Sequence, residues 1–313
     1  MTAEAPGRAG FVSFVGRPNV GKSTLLNALV GEQVAITSAK PQTTRRLIRG
    51  IVDRPGGQLV VVDTPGLHRP RTLLGQRLNE LVEAQLAEVD VIAFCVPADE
   101  RIGPGDRRIA ERVVASAVEA GAKAAAIVTK LDAVPRERVL EQLAAVGRLR
   151  DWDLVVPVSA VGGVQLDVLA DELLALMPVS PPLYPPGALT DESVPDRIAE
   201  IVREAVLEGV REELPHSVAV TIDEIVPREP EGGTGDADRG RGGVTEVYAK
   251  LWVERDSQKA IVIGRGGARL REIGTAARAK IEPILGGKVY LSIQVKVAKE
   301  WQRDPKQLGR LGF

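Results

Sequence analysis

At 313 residues, with 44% hydrophobic and 27% charged residues, the chain has the size and composition of a two-domain globular protein, and no apolar run approaches the roughly 18–20 residues a membrane span needs. A soluble protein is expected; one cysteine rules out an internal disulfide, and Cys95 with only His68 and His216 is too poor a set of soft ligands for zinc. The net charge of −1 hides an uneven distribution, because residues 265–310 hold eleven Lys and Arg against four Asp and Glu.

The opening MTAEAPGRAG has no basic start followed by an apolar core, so residues 1–8 read as a short disordered lead and not a secretory signal. From residue 10 to about 178, valine-rich runs alternate with amphipathic stretches: FVSFV, then 22–30; QLVVVD, then 76–88; DVIAFCV, then 105–119; AAAIVT, then 135–149; LVVPVS, then 164–177. The runs are too continuous for half-exposed strands, and the alternation predicts a doubly wound, mainly parallel sheet with helices on both faces. Cys95, inside VIAFCV, reads as a small buried hydrophobe in a chain suited to a reducing cytoplasm. PVSPPLYPPG, whose prolines oppose both helix and sheet pairing, predicts a semi-rigid linker over 179–190. Beyond it the expected order is helix, strand, strand, helix, helix, strand, with a polar glycine-rich insert at 227–243, a short helix near 256–262, a glycine turn at 264–267 and a basic helix over 267–282.

Two glycine turns carry the chemistry. GRPNVGKS at 16–23 matches Gly-x-x-x-x-Gly-Lys-Ser between a strand and a helix. Gly16 and Gly21 allow the tight path, the backbone N–H groups from Asn19 through Val20 to Thr24 can wrap a phosphate, and the helix N-terminus adds a positive dipole. Lys22 would bridge the β- and γ-phosphates, and Ser23 would ligate Mg²⁺. VVVDTPG at 60–66 sets Asp63 to hold Mg²⁺ through water and the Gly66 N–H to sense the γ-phosphate. In KPQTTRR at 40–46, Thr44 is the first choice to complete the Mg²⁺ shell and Thr43 the second, in a segment that a γ-phosphate would order. TKLD at 129–132 supplies Thr129, Lys130 over the base plane and Asp132, whose carboxylate accepts from guanine N1 and N2 as adenine does not allow; VSA at 158–160 adds Ser159 and the Ala160 N–H for guanine O6. Their placement at strand C-terminal ends fits the ligand crevice of such sheets. Leu67 stands where many GTPases carry a water-orienting glutamine, so slow or assisted hydrolysis is expected.

The set GRPNVGKST, QTTRR, DTPGLH, TKLD and VSA, followed by a proline linker and Gly-x-x-Gly, resembles the Era family of bacterial GTPases over residues 9–312. The resemblance implies an Era-type P-loop GTPase domain at 9–178 and a small α+β type II KH domain at 191–313. It also implies binding of the 3′ region of small-subunit (16S) ribosomal RNA in the GTP state, assistance to 30S subunit maturation, and loose association with the inner face of the membrane by a monomer of the cytoplasm. Thr129 departs from the usual Asn, which loses the amide that ties base to phosphate loop, and Asn19 is a candidate K⁺ ligand.

The second turn, Gly264-Arg265-Gly266-Gly267, joins two helices, follows no strand and precedes no Lys-Ser, so it is not read as a second triphosphate loop. In a KH domain such a turn packs against about four single-stranded nucleotides. Arg265 would meet phosphate, Arg269 and Arg271 could reach others, and Ile261, Val262 and Ile263 with Ile273 would floor the groove. The tail KEWQRDPKQLGRLGF is expected to dock through Trp301 and Leu308, with a membrane-surface anchor as the other reading. A P-loop ATPase or kinase with a structural second domain, and an RNA module that binds nucleotide without turnover, are the competing functions.

Overall fold

The computed structural model describes residues 7–38, 43–67, 69–208, 217–228 and 243–313; the expectations for the first six residues, Lys40 to Gln42, His68, His216 and most of the glycine-rich insert lie outside them. Contacts divide the chain into two compact units, Met1–Arg71 with Gly75–Asp191, and Thr72–Leu74 with Glu192–Phe313.

In the first unit, β1 (Arg8–Val15), β2 (Ile48–Arg54), β3 (Gly57–Asp63), β4 (Val91–Pro97), β5 (Lys123–Thr129) and β6 (Leu154–Pro157) form one sheet in the order β2-β3-β1-β4-β5-β6. All pairings are parallel except β2 with β3. β4 is buried along its whole length, as a strand covered on both faces must be. One core joins the sheet to Leu25 and Leu26 of α1 (Lys22–Val30) and Leu169 and Leu173 of α5 (Leu166–Ala175). The opposite core joins it to Val82 and Leu86 of α2 (Leu73–Leu86), Ile109 and Val113 of α3 (Pro104–Ala120) and Val146 of α4 (Arg136–Gly147). The doubly wound reading holds, with one addition: IRGIVDR forms the antiparallel edge strand β2. Pro55 and Gly56, the latter at φ 92°, make the hairpin turn that returns the chain as β3.

The proline-rich segment lies along that hairpin. Gln58 Oε1 accepts from the N–H groups of Leu183 and Tyr184, both at 2.9 Å, Asp53 Oδ2 accepts from Gly187 N at 2.9 Å, and Ile51 N donates to Leu189 O at 2.9 Å. Arg49 pairs with Asp191 at 3.0 Å, and the Tyr184 hydroxyl donates to the same carboxylate. Backbone groups that a free linker would leave to water are therefore satisfied by side chains and backbone of β2 and β3.

The second unit has the order α6 (Val194–Leu207), β7 (Ala219–Arg228), β8 (Val244–Val253), α7 (Asp256–Ile263), α8 (Ala268–Leu285), β9 (Lys288–Val297) and α9 (Pro305–Arg310). β8 is central, antiparallel to β7 and parallel to β9. Ser193 caps α6, accepting from Asp196 N at 3.3 Å. α8 runs past its expected end and through Pro283, whose ring costs the helix one N–H donor near its C-terminal end, and Gly286 closes it at φ 69°. Trp301 and Leu308 are buried, the Trp301 indole donates to Ser217 O at 3.0 Å, and its ring stacks on Phe313, so the tail docks inward.

Candidate nucleotide site and nucleic-acid groove

β1 ends where the sheet order reverses direction, and its C-terminus opens into a cleft of about 610 Å³. The turn from Gly16 to α1 needs a left-handed Asn19 at φ 65° and Gly21 at φ 100°. Gly16 has no room for a side chain, because a Cβ would sit 2.5 Å from the Cys95 carbonyl oxygen; a Cβ on Gly66 would sit 2.7 Å from Pro18 N. The loop and the start of the 64–67 segment are thus packed directly against each other, and Leu67 N donates to Gly16 O at 3.2 Å. Lys22 is buried, its Nζ donating to the carbonyls of Gly16 at 3.3 Å and Arg17 at 3.1 Å. Burial pushes its ammonium down from the usual lysine range, opposed by the Asp63 charge. Burial likewise pushes the Asp63 carboxyl up, opposed first by Lys22 and then by the hydroxyls of Ser23 and Thr44. Cys95, beneath the loop, is pushed up to about 12 by burial and stays an inert thiol.

Three oxygen donors meet at the mouth of this loop. Ser23 Oγ donates to Asp63 Oδ2 at 2.6 Å, Thr44 Oγ1 donates to the same oxygen at 3.0 Å, and the two hydroxyls are 3.0 Å apart. Asp63 Oδ1 is buried with no hydrogen-bond partner among the described residues. Hydroxyl and carboxylate oxygens converging on one point fit a small, hard divalent cation such as Mg²⁺. Thr43 also lines the cleft, but its hydroxyl donates to Ser38 O at 3.4 Å and is not drawn into this cluster.

At the other end of the cleft stand Thr129, Lys130, Asp132 and Ala160, with Val158 and Val161 as apolar lining. The Ser159 hydroxyl donates to Asp132 Oδ1 and accepts from Gly162 N at 2.8 Å, which fixes the carboxylate that faces the cleft. Thr129 Oγ1 donates to Val20 O at 2.6 Å. The tie between base-side loop and phosphate loop, expected to be lost without the amide, is made by the hydroxyl. Asn19, Gly21, Lys22, Ser23, Thr24, Thr44 and Gly66 line the cleft directly, while Gly16, Val20, Asp63 and Ser159 support it from behind.

Sequence reasoning missed a supporting network around the β4–α3 loop. Arg17 Nε donates to the buried Asp106 at 2.6 Å and its terminal nitrogen to Glu100 at 2.7 Å; Asp106 also accepts from Gly103 N at 2.9 Å at the start of α3. Asp99 pairs with Lys130 at 3.2 Å, and Gln142 donates to the carbonyls of Pro97 and Glu100. Only the pairing of β1, β4 and β5 brings these residues together, so no short motif announces them.

In the second unit the glycine turn has three residues at positive φ, Gly264 (71°), Gly266 (59°) and Gly267 (76°), a region open to glycine. A Cβ on Gly264 would sit 2.7 Å from Arg269 Cβ, whereas one on Gly266 would meet nothing within 4 Å. A groove of about 490 Å³ runs from Gly267 between α8 and β9. Its apolar lining is Leu270, Leu291 and Ile293. Val262 and Ile273, expected on the groove floor, are sealed in the core, Ile263 packs against that core and Ile261 is exposed, because the helical period turns them elsewhere. Arg271 lines the groove and donates to Gly266 O at 3.0 Å; Arg269 instead pairs with Glu272 at 3.3 Å and donates to Glu208 O. Arg265 begins the short 3-10 turn between the two helices.

Comparison with known proteins agrees with this geometry. Residues 11–130 match a family described as 50S ribosome-binding GTPase, and residues 236–302 match the KH domain family. GTPase Era of Mycobacterium sp. (strain KMS) is 62% identical over 307 residues, spanning 98% of this chain and 99% of that protein, and GTPase Era of Mycobacterium tuberculosis (strain ATCC 25177 / H37Ra) is 60% identical over 306 residues, spanning 97% and 98%. A crystal structure of Era in complex with MgGDPNP and nucleotides 1506–1542 of 16S ribosomal RNA superposes with a TM-score of 0.89 at 36% identity, covering 98% of this chain and 99% of that one. A variant of Aquifex aeolicus Era bound to GDP and aluminium fluoride gives 0.88 at 36% identity, covering 97% and 99%. A nucleotide cleft on the first unit, a KH-type second unit and near-full-length identity of this size mean that the chain belongs to the Era family of GTPases.

Proposed function

We propose that this GTPase is a Mg²⁺-dependent switch, working as a monomer in the cytoplasm, that binds the 3′ region of 16S ribosomal RNA through its second unit and assists assembly of the 30S subunit and maturation of its RNA. One observation carries the reading: Ser23, Thr44 and Asp63 meet within 2.6–3.0 Å in the cleft that also holds the oriented Asp132. The relative bound to MgGDPNP and a 16S fragment supports both ligand classes.

In this reading the N–H groups from Asn19 to Thr24 cradle the phosphates, and Lys22 meets the β- and γ-phosphates with a charge held in place by the carbonyls of Gly16 and Arg17. Mg²⁺, held by Ser23, Thr44 and Asp63, would neutralise charge on the phosphate oxygens. Gly66 offers its N–H to the γ-phosphate, and its lack of a side chain lets the 64–67 segment lie against Pro18. Asp132, oriented by Ser159, accepts from the guanine edge, Ala160 donates to O6, and Lys130, held by Asp99, covers the base. Leu67 is buried and offers water no hydrogen bond, so turnover depends on other help, such as a K⁺ ion at Asn19 or bound RNA.

The Gly264–Gly267 turn would hold the RNA backbone, with Arg265, Arg269 and Arg271 as its charges and Ile263 supporting the turn from within. The domain limits that fit are a GTPase domain at 9–178, a connecting segment at 179–190 and a KH domain at 191–313. Peripheral association with the membrane would have to use a surface other than the apolar side of α9, since Leu308 is buried. Nucleotide competition followed by phosphate release tests the reading. GTP and GDP should displace a fluorescent guanine nucleotide, ATP should not, and phosphate release should need Mg²⁺ and rise with K⁺ or RNA; equal displacement by ATP would return the chain to the general P-loop ATPases.

A further inference from the structure

Lys22 can serve a bound nucleotide only if its ammonium is aimed, and two backbone carbonyls aim it: Nζ donates to Gly16 O at 3.3 Å and to Arg17 O at 3.1 Å. Arg17 itself does not line the cleft. Its side chain runs to the segment between β4 and α3, where Nε donates to Asp106 Oδ1 at 2.6 Å and a terminal nitrogen to Glu100 Oε2 at 2.7 Å.

The two acids differ in what they can do for Arg17. The Glu100 side chain is 48% exposed, and an ion pair there is worth little. The Asp106 side chain is 1% exposed, and its other oxygen accepts from Gly103 N at 2.9 Å at the start of α3. A buried carboxylate needs partners on both oxygens, and these two bonds supply one each. The segment that carries Asp106 is fixed as well. Gln142 of α4, itself buried, donates to Pro97 O at 2.9 Å and to Glu100 O at 3.1 Å, and Ala98 N donates to Thr129 O at 2.8 Å. A fixed anchor, a short charge-assisted bond and a backbone carbonyl therefore stand in series behind Lys22.

We propose that Asp106 is a positioning residue for GTP hydrolysis: it holds the Arg17 side chain, and through it the Arg17 carbonyl that directs Lys22 at the phosphates. The inference rests on the role of Lys22 given above and extends it to a side chain that lies outside the cleft. A displacement of about 1 Å in a group that meets the reacting atoms can cost about 10²-fold in rate, so a bond this far back still registers in turnover.

The test is steady-state phosphate release by the full chain with Mg²⁺ and K⁺, read beside GDP affinity and a thermal melt. Asp106→Asn keeps one oxygen for the Gly103 N–H and turns an amide NH₂ toward Arg17, so it removes the Arg17 bond and leaves the helix cap. Its kcat should fall about 10- to 100-fold, and GDP affinity should fall less than kcat, because the loop N–H groups still hold the diphosphate. Arg17→Ala should fall as far, and the double variant no further, since Asp106 acts through Arg17. Glu100→Gln should stay within about 2-fold of the parent. Were Asp106→Asn to turn over like the parent, or its loss to add in full to that of Arg17→Ala, while Lys22→Ala still lost turnover, the positioning role would be overturned and the role of Lys22 would stand. Turnover by Lys22→Ala at the parent rate would remove both.

Discussion

The two glycine turns of this chain place the same residue in different surroundings. At the first, a side chain on Gly16 would strike the Cys95 carbonyl and one on Gly66 would strike Pro18, while Gly21 is set by its φ of 100°. The loop is enclosed, Lys22 is buried within it, and oxygens from three separate segments converge at its mouth. At the second, Gly264 is crowded by Arg269, but Gly266 has open space around it and is set by backbone conformation alone, with φ at 59°. An enclosed cradle suits a compact polyanion with a metal ion, and an open turn beside a groove suits a polymer whose strand must run on in both directions.

Substitutions can break this contrast. Lys22→Ala should have the largest effect, lowering kcat/KM for GTP about 10²- to 10³-fold while the nucleotide-free protein keeps its RNA affinity; steady-state phosphate release and an RNA titration measure both. Asp132→Asn should weaken guanine nucleotide about 10- to 100-fold and turn preference toward xanthine nucleotide, and unchanged guanine selectivity in competition would remove Asp132 from its role. Thermal melts should separate the glycines: Gly16→Ala forces its Cβ onto a backbone oxygen and should destabilise by about 1–3 kcal/mol, whereas Gly266→Ala bears only the left-handed penalty of about 1–2 kcal/mol. Thr129→Val is the mildest, since it removes the one hydroxyl bond to Val20 O; nucleotide affinity should fall by about 1 kcal/mol, and Thr129→Asn should keep it.

Much of the first site is legible in the sequence because its chemistry is local. A turn of fixed length between strand and helix sets its own N–H groups, and Asp63, Asp132 and Ser159 follow the ends of strands whose apolar runs are easy to see. What escapes is set by distant pairing. The Arg17, Asp106 and Glu100 bonds and the Asp99–Lys130 pair need β1, β4 and β5 side by side, and the docking of residues 183–189 needs Gln58 and Asp53 on the hairpin. Strand β2 is legible, since RPGG after IRGIVD is a turn signal between two apolar runs. The inward turn of Val262 and Ile273 follows from the helical period, which outweighs their hydrophobicity as a guide to the groove. Thr129 shows the opposite limit: the residue type departs from the family pattern, yet its hydroxyl ties the base side to the phosphate loop through Val20 O.

The central claim is that two unlike phosphate sites serve one switch. A filter-binding titration of the nucleotide 1506–1542 RNA against the full chain, loaded with Mg²⁺ and either a non-hydrolysable GTP analogue or GDP, tests it most directly. The account predicts tighter RNA binding with the triphosphate analogue, by a factor of about 5 or more, as coupled sites typically show. Equal affinity in the two nucleotide states would leave both sites in place and contradict the switch.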